Sequence, residues 1–179
     1  MALTRLGVNN ISNSTIANIT ALPAAITTGK VLQVVSSEST TVDTFQNVDW
    51  TNSSISVSIT PSNSSNKIYV LSNVTASHGN HGNLRLTKDG TAISVGTASS
   101  SRPAVAGYMN IGTSANSAGC FVLQSLHSAG GTSAITYRVQ VKSDNSSSTA
   151  GYINRTVNDT DAAYGGRSIS IITAMEVSA

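Results

Sequence analysis

The sequence predicts an all-β protein, an antiparallel β-sandwich of jelly-roll-like design with an extended N-terminal arm. Three observations predict it. Apolar and polar residues alternate in segment after segment, as where Ile55, Val57 and Ile59 sit between Ser54, Ser56, Ser58 and Thr60. This is the period of a strand with one buried face. Turn-forming residues recur about every ten positions, the spacing of a many-stranded sandwich. No stretch sets apolar residues at helical spacing among good helix formers.

Residues 1–29 form the arm. They hold no aromatic residue and, after Arg5, no charge before Lys30. Ile11, Ile16, Ile19, Leu22 and Ile26 recur, but the Asn, Ser and Thr between them are poor helix formers. Pro23 and Gly29 punctuate the end. The segment is too apolar for a solvated tail and too thin for a core of its own. It is expected to anchor the chain by lying along a partner surface.

The β domain is expected over residues 30–179, within the size of one sandwich. Strands are predicted at 31–35, 41–47, 54–60 and 68–74, with a turn at 61–66. The segments 84–87 and 91–95 flank Lys88-Asp89-Gly90, and Asp-Gly between alternating strands predicts a hairpin. Further strands are predicted at 108–111, 120–126, 135–141 and 168–177, with a short one at 152–153 after a Ser/Asn loop. Alternation points Ile55, Val57, Ile59, Val70, Leu86, Ile93, Phe121, Leu123, Tyr137, Val139, Ile169 and Ile171 inward. Cys120, alone of its kind and set in the run Cys120-Phe121-Val122-Leu123, is expected to be a buried, inert thiol.

Composition narrows the function. Charged residues make up 10% of the chain, whereas 67 of 179 residues are Ser, Thr or Asn. Thr suits exposed strand faces, and Asn and Ser suit turns. The net charge of +2 is too small, and Lys and Arg too scattered, for a nucleic-acid footprint. The N-terminus lacks the apolar core of a signal peptide, and no run approaches a membrane span. The chain is therefore expected to be soluble and made in a reducing compartment. Asn-X-Ser/Thr triplets occur at nine sites, from Asn10 to Asn158; the Asn/Ser/Thr-rich composition explains them better than glycosylation.

Catalytic constellations are sparse. His78 and His81, in the Gly-rich stretch His78-Gly79-Asn80-His81-Gly82, are the only local pair that resembles metal ligands, with His127 as a candidate third. Nothing announces the rest of a coordination shell, so an ordinary loop is expected. Asp159-Thr160-Asp161 lacks the further acidic ligands of a calcium loop. Asp43 and Asp49 are readable as a glycosidase pair only in the sense that any two acids are. No nucleophile elbow, phosphate-cradling loop or thiol–His signature is present. The chain is read as no enzyme, with no catalytic, cofactor-binding or metal residue assigned.

Several segments together carry a resemblance. They are Met1-Ala2-Leu3-Thr4-Arg5-Leu6, Thr28-Gly29-Lys30-Val31-Leu32-Gln33-Val34-Val35, the hairpin from Leu84 to Ile93, Ala134-Ile135-Thr136-Tyr137-Arg138-Val139-Gln140-Val141, Tyr152-Ile153-Asn154-Arg155, and Ile172-Thr173-Ala174-Met175-Glu176-Val177. The chain resembles small virion structural proteins of tailed phages, particularly those of aquatic bacteria, of the head-decoration or tail-fibre type. The resemblance implies a jelly-roll domain that forms a homotrimer and an N-terminal segment that anchors it to the particle. It also implies virion localisation after synthesis in the host cytoplasm.

Two placements follow. In one, the protein is a capsid decoration or cement protein whose partner is the major capsid protein. In the other, it is a short tail fibre or receptor-binding tip on a tail or baseplate protein, with loops such as residues 78–83 contacting a host surface glycan. The missing shaft repeat and the scarcity of aromatics, with Trp50 the single Trp, favour the first. Neither placement calls for nucleic acid or a membrane.

Overall fold

A computed structural model of the chain describes residues 29–110, 115–144 and 149–179. Eleven strands are present among them: β1 Val31–Ser39, β2 Thr44–Phe45, β3 Thr51–Ile59, β4 Lys67–His78, β5 Gly82–Lys88, β6 Thr91–Ile93, β7 Gly107–Met109, β8 Gly119–Ser128, β9 Ile135–Ser143, β10 Gly151–Ile153 and β11 Ser170–Val177. The described residues contain no helix, and thus none long and apolar enough to cross a membrane. The arm expected over residues 1–29 lies, but for Gly29, outside the described residues.

All pairings are antiparallel, and they nest. β1 pairs β11, β3 pairs β9, β4 pairs β8, and β5 pairs the short strands β6 and β7. In these pairs outermost strands join outermost and inner join inner, while the long strands β1, β3, β4, β5, β8, β9 and β11 alternate between two sheets. The first sheet runs β1-β11-β4-β8, with β10 and β2 added along the distal part of β4; the second runs β3-β9-β5-β6/β7. This is the strand order of a jelly-roll sandwich.

The two inner faces meet in one apolar core. Ile68, Val70, Val74, Ile172 and Ala174 come from the first sheet, and Ile55, Val57, Leu84, Leu86, Tyr137 and Val139 from the second. Ile93 and Phe121 pack against this core while staying partly exposed. The hairpin turn forms as predicted, with Asp89 and Gly90 both at positive φ, 48° and 84°, as a two-residue connection between twisted strands requires.

Several expectations need correction. The strand expected at 41–47 contracts to Thr44–Phe45, because the Asp43 carboxylate instead accepts a hydrogen bond from the Ser54 backbone N–H (2.6 Å). Ile169 and Ile171 do not point inward: Ile169 is exposed and Ile171 half-buried, while Ser170, Ile172, Ala174 and Glu176 face the core. The strand is in the opposite register because its two polar inward residues have partners. The Ser170 hydroxyl donates to Asn154 Oδ1 (2.6 Å), and Glu176 is held by a shell of donors described below. Cys120 is exposed. It alternates with Phe121 on β8, so only Phe121 and Leu123 of the apolar run turn toward the core.

Candidate functional site

The histidines expected to be the nearest approach to a metal site are engaged separately. His78 closes β4 and is buried. Its Nδ1 accepts the Asn80 backbone N–H (2.9 Å), which leaves Nε2 to donate to Ser143 Oγ (3.1 Å). Burial first, with a smaller contribution from His81 and a partial offset from Asp144, lowers its pKa and keeps the ring neutral. His81 pairs with Asp144 (3.2 Å) and stacks on Tyr108. His127 sits opposite Ile68, ten residues along β4 from His78, or roughly 33 Å at strand rise. There it joins a hydrogen-bond chain of Ser94, Ser125 and the buried Tyr137 hydroxyl. Among the described residues no three His, Cys, Asp or Glu converge.

Two of the acidic candidates, Asp159 and Asp43, are likewise occupied. Asp159 pairs with Arg167 and lies 4.0 Å from Arg155, so two guanidiniums stand where a cation would be. Asp43 caps the backbone of Ser54, and Asp49 is exposed on the loop before β3. Asp43 and Asp159 thus stabilise connections.

The outer faces of the two sheets differ sharply, and the difference follows from sequence parity. On the second sheet the outward residues of β3 and β9 are Ser54, Ser56, Ser58, Thr136, Arg138 and Gln140, tied laterally by bonds such as Ser58 to Thr136 (2.9 Å) and Gln140 to Asn52 (2.8 Å). On the first sheet the register lines up Val34, Met175, Tyr69 and Leu126 in one cross-strand row. Ser36, Thr173, Leu71 and Gln124 form the next, and Glu38, Ile171, Asn73 and Val122 the one after. Val34, Val122 and Leu126 are each more than half exposed, at 56%, 59% and 58%. Charge appears only at the margins, as Glu38 and Lys67.

The first row is apolar from edge to edge, and Leu71, Ile171 and Val122 extend it among Ser36, Thr173, Gln124, Asn73 and Glu38. Its signal was in the sequence, where apolar residues occupy both parities of 31–35 and 120–123. Such runs read as doubly buried strands, and the described residues cover only one of their faces.

A second feature went unread. Glu176 is closed to solvent yet ionised. Burial pushes its pKa up, but donors outweigh it: Asn66 Nδ2 (2.6 Å), Gln33 Nε2 (2.6 Å), and the hydroxyl and backbone N–H of Ser62 (2.8 and 2.7 Å) bring it down to about 2. The carboxylate thereby fastens β11 to β1 and to the turn between β3 and β4. Asn154, at φ 63°, plays the same part elsewhere, donating to the Ser39 and Thr41 carbonyls while accepting from Ser170.

No protein-family model matches the chain, and no curated protein matches it.

Proposed function

We propose that this chain is a non-enzymatic virion structural protein of a tailed phage, a homotrimeric capsid decoration or cement protein attached through its N-terminal arm. The observation that carries the reading is the exposed apolar row Val34-Met175-Tyr69-Leu126, extended by Leu71, Ile171 and Val122, on the charge-poor outer face of the β1-β11-β4-β8 sheet. Each aliphatic side chain removed from water there contributes roughly 1.5–3 kcal/mol before ordering costs. With almost no Lys or Glu to desolvate, the face suits contact between identical copies, and closed symmetry uses one patch repeatedly. The number three and the phage setting rest on the sequence resemblance.

The arm supplies attachment. Leu3, Leu6, Val8, Ile11, Ile16 and Ile19 have no period-two partner pattern that would complete a sheet face. Ordering them costs about 1–2 kcal/mol per residue in backbone entropy, so a particle surface must offset that cost. Deleting residues 1–29 is expected to leave folding and oligomeric state intact and to abolish incorporation into virions. A truncated protein that fails to fold would make the arm a core element. One that still decorates particles would move the anchor into the β domain. The alternative placement, a short tail fibre or receptor-binding tip, keeps the trimer and the arm and changes only the particle protein on which the arm docks. Immunogold labelling of intact virions separates head from tail.

A further inference from the structure

The outer face of the second sheet carries a groove of ≈ 640 Å³, within the size range of small-ligand sites. Its floor is a single cross-strand row, Tyr108 on β7, Asn83 on β5 and Lys142 on β9. Its rim includes Arg102 and Pro103 from the loop between β6 and β7, with Asp144 at one end. Asn83 is 2% exposed, and its Nδ2 has no hydrogen-bond partner among the described residues. Buried donors are nearly always satisfied, so an amide held unpaired at the floor of an open groove marks a place where an acceptor belongs.

We propose that this groove binds a carboxylate-bearing saccharide. Three features select that chemistry. Asn83 Nδ2 requires an acceptor, and a sugar hydroxyl or ring oxygen is one. Tyr108 is half exposed and backed by His81, whose ring lies 5.7 Å away at 19°. This leaves an aromatic surface, electron-rich on its face, against which the C–H side of a pyranose packs. The charge is unbalanced: two cations, Arg102 and Lys142, line the groove against one acid, Asp144. Lys142 also lies 5.4 Å from the Trp50 ring, whose face Arg85 covers at 4.1 Å, so the cationic character continues past the groove.

An acidic peptide fits less well. Extended peptides gain affinity from a free sheet edge, whereas this floor is a sheet face whose central strand, β5, is paired on both sides by β7 and β9. The proposal does not depend on self-association through the opposite sheet or on where the arm docks.

The test is a titration of the full-length, isotope-labelled protein, following the Asn83 side-chain amide by NMR. The probes are tetragalacturonate and sialyllactose, with maltotetraose and tetraglutamate as controls. The acidic saccharides are expected to shift the Asn83 amide and to bind at least tenfold more tightly than either control. Lys142→Met and Tyr108→Ala, both at the surface, should each weaken binding at least tenfold without changing the melting temperature. The proposal is overturned if neither acidic saccharide moves the Asn83 amide, which would leave water as its acceptor. It is equally overturned if maltotetraose binds as well, if tetraglutamate binds as well, or if the two substitutions leave affinity unchanged.

Discussion

At Glu176 a charge is kept where water cannot reach it, and the donor set explains how. Four hydrogen bonds from three residues converge on its two oxygens. Glu176→Gln replaces an acceptor with an N–H₂ that faces donors, so the fold should lose about 1–3 kcal/mol, measured as a shift in the urea midpoint. The folded-state pKa lies below the ordinary value of 4.5, so the stabilisation from ionised Glu176 is complete above that value and is lost as pH falls toward about 2. His78 and His127 act at milder pH. Burial is the main cause that lowers both, with Lys88 adding to the effect at His127. Below about pH 6.5 the unfolded chain therefore takes up protons that the folded chain resists, and stability should begin to fall there. A His78→Gln, His127→Gln double variant should flatten that limb of the stability-versus-pH curve. None of these roles was legible in the sequence. Parity prefers Ile169 and Ile171 inside and Glu176 outside, and only the positions of Asn66, Gln33 and Ser62, far away in the chain, reverse it.

Among the elements, legibility tracked strength of alternation. The strands around Ile55, Val70, Leu86, Val139 and the Asp89-Gly90 hairpin were readable because period-two pattern and turn chemistry agree. The strand at 41–47 was not, because Asp43 and Asn47 spend their hydrogen bonds on neighbouring segments. The short β2–β10 contact is a place where side-chain size decides packing. A Cβ on Gly151 would fall within the Phe45 ring and meet His78 Cδ2. Gly151→Ala should therefore displace Phe45 and destabilise the sandwich by about 1–3 kcal/mol, the range for overpacked cores, seen as a lower melting temperature. A melting temperature equal to the parent's would mean that β2 shifts freely and does not help close the core. On β8, Cys120 stands on the apolar outer face, opposite Thr75 and two residues from Val122. Its thiol should react with a soluble disulfide reagent in the separated chain and be protected when copies associate through that face.

For the whole molecule, the sandwich was legible, whereas its exposed apolar row was not. Apolar runs such as 120–123 announce burial without saying whether the second face meets the same chain or another. The described residues leave that face open over β1, β11, β4 and β8 and bury the opposite one in the core, and the proposed function has copies of the chain closing the open face. Sedimentation equilibrium at micromolar concentration tests this most directly, comparing the parent protein with a Val122→Asp, Leu126→Lys variant. Both substitutions are at exposed positions and should spare the fold, which circular dichroism checks in the same samples. The parent is expected at roughly 55 kDa, three times the 18.3 kDa chain, and the variant at 18.3 kDa. A parent that sediments as a monomer, or a variant that keeps the parent's mass, would contradict it.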